Sequence, residues 1–565
     1  MKRLVVLLAM TLTAFGLSAQ ESFPQYPSPL DIPIYLSATF AELRNNSFHA
    51  GVDIKTQGVE GKKVYAVADG YVSRITQGID GFGNAVYVTH PEGYTSIYCH
   101  LKSFSPRIQA ALRNYQYAHQ TNVPDARLSP LVCPVSQGQY IALSGNTGHS
   151  TGPHLHLEIH DTETWDMLDP YEFLNDFIND SVPPQAHGLM ASPMVGQGIF
   201  NNSTQKQTFG IAGSRLTQTF TAWGKVGFAL WGDDYMQGNY HHYGIRETIL
   251  MLDGNIIFRS NVDRIPVNRN TFVNAWGDYD HWRQARRWYM KSYIEPGNQL
   301  SILSSDSLRG IVNFNEERDY QLEYVLRDFK GNESRYAFTV HGVKQPIPQP
   351  EIPIGQRFLW NQTNSFSYPG EMQLVVPYGL LANDIILQPV VVRQPEQLSD
   401  RYSFYPVSCP LMADGELMIR ARLNNVGVGD ILSTEADPSK LYIRSSTGRF
   451  MGGDYQDGWV IGRINELGYT YALDYDDEPP AISLVENTVS DVIRLSVSDR
   501  QSGVDTYQGT IDGQFVVFNP KEKTSHVVCN LRESPIRKSG KAHQLLFTAT
   551  DRRNNTQTFE TSIIY

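Results

Sequence analysis

Cysteine is scarce in this 565-residue chain, with only Cys99, Cys133, Cys409 and Cys529. None sits in a Cys-x-x-Cys pair, which excludes a disulfide-stapled scaffold and a cysteine zinc site. Cys99 and Cys133 fall in one stretch and leave two readings open, a bond in an oxidising compartment or two buried thiols. Charge is also sparse, at 19% of residues with a net of −11. A chain that acidic lacks the basic face of a nucleic-acid binder. No long Ala/Glu/Lys/Leu heptad pattern is present, so a coiled coil is excluded. Beyond Leu17 no run of 18 apolar residues occurs, and the chain does not read as an integral membrane protein. There is no His-Glu-x-x-His helix. The loop Gly145–Gly152 (GNTGHSTG) lacks the Gly-Lys-Ser/Thr ending of a phosphate loop.

What the chain does have is 31 Tyr, 25 Phe, 45 Gly and 31 Pro, a composition of strands joined by turns. The expected fold class is mainly β, and at roughly 150 residues per domain the length implies about four units. Met1-Lys2-Arg3, the apolar stretch Leu4–Leu17 and Ser18-Ala19 form a signal peptide over residues 1–19. The expectation is therefore an exported protein, periplasmic or extracellular. Residues 20–180 form one β unit. It is interrupted at about 106–131 by a helical insertion, with Ile108, Ala111, Leu112 and Tyr115 at helical spacing, and then a loop.

Val182-Pro183-Pro184 opens the remainder, in which a diverged repeat is visible. Residues 226–258 and 493–518 each carry a strand ending in Asp, a Gly-containing turn, a strand and an Asp-Gly hairpin turn. Residues 320–340 and 543–563 close the two copies alike, around an Asp-x-x-(Gly/Asn)-Asn turn. This pattern predicts immunoglobulin-like β-sandwiches at 183–344 and 479–565. Pro346–Pro350 reads as a linker, and 351–472 as a further β-rich unit. The acidic run Asp474–Glu478 before Pro479-Pro480 has calcium-binding composition, but its expected role is that of a solvated linker.

Three motifs carry chemistry. Phe48-His49-Ala50-Gly51-Val52-Asp53 sets a His and an Asp four apart around a Gly that permits a turn. Tyr98-Cys99-His100-Leu101 puts a His in an apolar strand, where Tyr98 reads as packing. Pro153-His154-Leu155-His156-Leu157-Glu158 puts two imidazoles on one strand face and two leucines on the other. Two imidazoles on a core-side face are costly unless something holds them. A zinc ion does so, since imidazole and carboxylate are among its usual ligands.

Together with HAGVDIKT, VYAVADGYVSRI, GFGNAVYVTHPEGYTSIYCHL and VSQGQYIALSGNTGHSTGPHLHLEI, these motifs resemble the lysostaphin/LytM-type zinc metallopeptidases. The resemblance covers about residues 38–175. It implies an antiparallel β-sheet metallopeptidase domain and one zinc ion per chain, held by His49, Asp53 and His156. It further implies that His100 and His154 act on the reacting water and stabilise the oxyanion; His154 is assigned here as the base and His100 as the oxyanion partner, a division the sequence leaves open. Peptidoglycan is the implied substrate, cut in its peptide cross-links; glycine bridges and direct D-Ala–diamino-acid links both fit the five residues, and the D-Ala–diaminopimelate link is favoured for an exported chain without a lipobox or wall-sorting tail. The competing reading is a non-catalytic envelope scaffold or amidase activator, but such proteins have lost ligands and all five residues are present here. The C-terminal β units are candidate contacts for an envelope protein partner. All the implied ligands lie within 20–180, so that fragment is expected to hold zinc alone. His149 reads as an exposed loop residue.

Overall fold

The computed structural model describes residues 23–565 apart from 79, 214–215, 217, 239, 423–436, 487–490 and 522. The segment 1–19, expected to be a signal peptide, lies outside the described residues. The chain is mainly β, as expected.

The N-terminal sheet contains β1 (Leu36–Ala38), β2 (Val52–Lys55), β3 (Gly70–Thr76), β4 (Ala85–Thr89), β5 (Tyr94–Cys99), β6 (Asp125–Arg127) and β7 (His154–Asp161). Their order across the sheet is β1-β2-β7-β5-β4-β3-β6. The central strand β7 is antiparallel to both neighbours, with His156 opposite Asp53 on β2 and Cys99 on β5. Side chains alternate along a strand. Val52 and Ile54 on β2, and Leu155, Leu157 and Ile159 on β7, are therefore buried in one core. The opposite face is left to Asp53, His154, His156 and Glu158. Cys99 and Cys133 are both buried free thiols, which settles the open alternative.

The insertion begins with α1 (Pro106–His119). Ile108 and Leu112 are buried as the spacing predicts, together with Gln116. The remainder of the insertion is not all loop: β6 pairs with β3, through Ala126 opposite Ile75. The outer side of the insertion receives the last β unit. Asn122 donates to the Tyr507 carbonyl at 2.7 Å and accepts from the Phe518 N–H at 2.8 Å, and Arg113 pairs with Glu533.

While Arg264–Ile265 pairs with Met167–Leu168 of the N-terminal sheet, ten strands between 185 and 342 form, among the described residues, one continuous sheet rather than two separate sheets. Phe220–Ala222 run parallel to Val340–Gly342 within it. It encloses Phe200, Phe220, Phe228, Phe314 and Phe338. The third unit has sheets of five and four strands, and its strand Tyr471–Tyr475 pairs with Leu441–Ser445. A boundary at 472 would cut that strand, so the unit extends a few residues further. The last unit is a sandwich of two four-stranded sheets.

The repeat is visible in the hydrogen bonding. Glu247–Leu252 pairs with Asn255–Asn261 around Asp253-Gly254, and Val504–Ile511 with Gln514–Val516 around Asp512-Gly513. Both turns have two residues at positive φ, as a type I′ hairpin requires. Each hairpin then adds the closing pair in the same order, Asp319–Arg327 with Glu333–Gly342, and Ala542–Asp551 with Thr556–Ile564. One expectation fails between the third and last units. Asp476 is not solvated but fully buried, accepting from the Ser502 N–H at 2.9 Å.

Candidate metal centre

His49 comes directly after a two-stranded hairpin, Leu43–Arg44 with Ser47–Phe48, and Asp53 stands four residues on, in β2. Gly51 between them does not adopt a positive φ; it allows a close approach instead. A Cβ there would lie 2.1 Å from the Leu157 carbonyl oxygen of β7. The glycine is thus what lets the His49–Asp53 segment lie against the strand that carries His156.

Three atoms converge. His49 Nε2 is 3.1 Å from Asp53 Oδ1 and 3.0 Å from His156 Nδ1, and His156 Nδ1 is 2.8 Å from Asp53 Oδ1. The outer nitrogens fix the tautomers. His49 Nδ1 lies 2.6 Å from the Thr39 carbonyl oxygen, which only accepts, so that nitrogen carries the hydrogen. His156 Nε2 donates to Glu158 Oε1 at 2.9 Å, and Glu158 Oε2 accepts from His160 Nε2 at 2.7 Å. With both rings neutral, two lone pairs and a carboxylate oxygen face one another in a buried space. That donor set fits a zinc ion, with both imidazoles oriented by partners outside the centre.

The electrostatics are set by the same geometry. Burial pulls the His49 pKa down to about 4 against the pull of Asp53, which favours the neutral, ligating form. Burial also opposes a charge on His156, but hydrogen bonds and charge from Asp53 and Glu158 outweigh it and raise its pKa to about 9. A proton on His156 is the metal-free way to separate these acceptors. Burial would raise the Asp53 carboxyl, yet the imidazoles of His154, His156 and His49 gathered around it hold it far below the usual range once they share a proton with it. Arg44 Nη2 reaches Asp53 Oδ2 at 3.2 Å.

The two remaining histidines stand beside this trio. His154 Nδ1 donates to the Gly152 carbonyl at 2.8 Å, leaving Nε2 3.4 Å from Asp53 Oδ1. His100 lies not in the strand, as expected from the sequence, but directly after β5, in a left-handed backbone conformation, φ 57°, unusual for a non-glycine residue and of a kind that clusters at functional sites. Its Nδ1 donates to the Thr147 carbonyl at 2.8 Å, and its ring centroid is 4.8 Å from that of His154. Burial, then the charges of His156 and His154, lowers the His100 pKa to about 3. All five expected residues are thus brought together. His149 is exposed, and Tyr98 is fully buried with its hydroxyl bonded to Val67 N and Ser96 Oγ. Glu158 and His160 join the site beyond the five expected residues; the signal for them is that they continue the alternation from His154 and His156 along β7.

The centre leans on the next β unit. Phe48 packs against Trp276 at 6.1 Å between ring centroids, and its N–H donates to Asn270 Oδ1 at 2.6 Å. Phe40 and Phe48 belong to the core of that unit rather than to their own.

Residues 47–116 match the profile of "Peptidase family M23", and residues 355–476 that of a "Zu5-like domain". The second match extends the third unit to 476, as its strand pairing does. A metalloprotease of Haemophilus influenzae, described as uncharacterized, is 37% identical over 112 residues, 20% of this chain and 18% of that protein. The DD-carboxypeptidase/endopeptidase Mpg of Neisseria meningitidis is 33% identical over 111 residues, 20% of this chain and 19% of Mpg. The peptidoglycan DD-endopeptidase ShyA of Vibrio cholerae is 31% identical over 150 residues, 26% of this chain and 28% of ShyA. The chain spans less than a third of the length of each of these relatives. The N-terminal unit, built around these histidines and Asp53, is a LytM-type domain of peptidase family M23.

Proposed function

We propose that this chain is an exported zinc endopeptidase that hydrolyses peptide cross-links of peptidoglycan, the D-Ala–diaminopimelate link in particular. One zinc per chain is held by His49, Asp53 and His156. The observation that carries this reading is the meeting of two imidazole lone pairs and one carboxylate oxygen in a buried space. Support for the substrate comes from the Mpg and ShyA relatives, whose names describe DD-endopeptidases.

Zinc supplies Lewis acidity that makes water a nucleophile near neutral pH. The protein groups do the rest. Thr39 and Glu158 fix the His49 and His156 rings so that their free nitrogens converge. His154, with Nδ1 tied to Gly152, offers an unprotonated Nε2 as base for the attacking water. His100 is in the same tautomer and is unprotonated at rest, so it would donate through Nε2 to the oxyanion only after receiving the proton that the neighbouring His154 takes from the attacking water. The β units beyond 183 hold the catalytic unit from two sides and are the surfaces for any envelope partner.

The test is incubation of the zinc-loaded chain with purified muropeptide dimers joined by a D-Ala–diaminopimelate bond. Conversion to monomers, lost in Asp53→Ala, is expected. Dimers left intact by the zinc-loaded chain would overturn this reading.

A further inference from the structure

The linkers that enter the two copies of the β repeat share a pattern: Asp180-Ser-Val-Pro-Pro and Asp476-Asp-Glu-Pro-Pro. In each copy that first Asp meets an Asp at the end of the unit's early strand, Asp234 or Asp499. It also meets the Asp of the closing turn, Asp328 or Asp551. The ligand-capable oxygens of Asp180, Asp234 and Asp328 lie within 4.8 Å of one another, and so do those of Asp476, Asp499 and Asp551.

The surroundings repeat as well. Asn332 donates from its side chain to Asp328 Oδ2 at 2.7 Å and to the Asp180 carbonyl at 3.3 Å. Asn555 does the same to Asp551 Oδ2 at 2.7 Å and to the Asp476 carbonyl at 2.8 Å. The basic residue two positions after each closing Asp turns away toward the preceding unit. Lys330 donates to the Asn175 carbonyl, and Arg553 to the carbonyls of Ser439, Leu441 and Gly453. Neither base forms an ion pair with its three carboxylates, although the charge of Lys330 reaches Asp180 and Asp328 and that of Arg553 reaches Asp551 and Asp476.

One atom shows the consequence. Asp234 is 4% exposed, and its Oδ1 has no hydrogen-bond partner. An orphaned carboxylate oxygen in a buried position costs free energy that a cation recovers. Burial, then the charges of Asp180 and Asp328, pushes the Asp234 pKa up to about 8, as expected of a cluster short of positive charge. Hard oxygen ligands select calcium, which takes 6–8 oxygens at roughly 2.3–2.6 Å. Oxygens on opposite sides of such an ion stand about 5 Å apart.

We propose that the chain carries two equivalent calcium sites, Asp180–Asp234–Asp328 and Asp476–Asp499–Asp551, each clamping an entering linker onto a copy of the β repeat. Calcium would then fix how the LytM-type domain sits on the second unit, and how the third unit sits on the last.

The experiment is calcium titration of the full chain, loaded with zinc beforehand, by isothermal calorimetry and thermal melting with CaCl2 alone. Uptake of two calcium ions per chain with a rise in melting temperature of a few degrees is expected. Asp328→Asn should remove one ion, Asp551→Asn the other, and the double variant both. Uptake of fewer than two ions by the wild-type chain, or two ions still bound by the folded double variant, overturns the proposal. The wild-type measurements decide the matter even where a variant does not fold.

Discussion

The Nε2 of His156 donates to Glu158 Oε1 at 2.9 Å, so a fully buried carboxylate orients the imidazole whose other nitrogen faces Asp53. Burial works against charge on Glu158, yet hydrogen bonds from His156 and His160 hold its carboxyl far below the usual range. The ion is thus built into the wall behind the metal centre. Glu158→Gln removes the charge and offers an amide where only acceptors fit. Zinc affinity should fall about 10–100-fold, the usual cost of losing such an outer partner, read by competition with a chromophoric chelator. Unchanged affinity would make Glu158 a packing residue.

Gly51→Ala tests the close approach. Its Cβ would meet the Leu157 carbonyl at 2.1 Å, and strand β7 cannot retreat without moving His156. The expected loss is about 1–3 kcal/mol of stability, typical of overpacking, together with weakened zinc binding. Melting curves and metal content of one preparation check both. An alanine variant as stable as wild type would show that the strands separate freely.

Asn270→Ala tests how far the second unit positions His49. It strands the Phe48 N–H, one residue before the ligand, at an expected cost of about 1 kcal/mol. Zinc binding should weaken several-fold although Asn270 touches no ligand. For the same reason the isolated 20–180 fragment, which exposes Phe40 and Phe48, should bind zinc less tightly than the full chain. Equal affinities by calorimetry would return the site to a self-sufficient domain.

The site was legible where chemistry and period coincide. His154 and His156 share a face because strands alternate, and that rule extends without new information to Glu158 and His160. Gly51 was legible as special but not in its cause, since a turn and a close approach both select glycine. Contacts between residues far apart in the chain leave no local trace. Nothing around Phe48 points to Trp276 or Asn270, and nothing in Asp474–Glu478 reveals that Asn555 and Ser502 will bury Asp476. The continuous sheet between 185 and 342 escaped for a similar reason. Strand patterns mark which residues face inward, whereas the parallel pairing of Phe220–Ala222 with Val340–Gly342 depends on tertiary packing.

Asp234 makes stability depend on pH in calcium-free buffer. Its folded pKa of about 8 exceeds the unfolded value near 4. The folded state therefore holds the extra proton, and the stabilisation present below about pH 4 is lost as pH rises toward 8. Asp234→Asn removes that titration. Relative to wild type, the variant should gain in melting temperature between about pH 5 and pH 8 without calcium. A constant difference across that range would show that Asp234 titrates normally.

Zinc content and muropeptide turnover, measured together on the same preparations of wild type, His49→Ala, Asp53→Ala, His156→Ala, His100→Ala and His154→Ala, test the central claim. Wild type should carry one zinc per chain and cleave cross-linked dimers. The His49, Asp53 and His156 variants should lose the metal. The His100 and His154 variants should keep it while turnover falls about 10²–10⁴-fold. Full zinc in His156→Ala, or wild-type turnover in both His100→Ala and His154→Ala, would contradict the account.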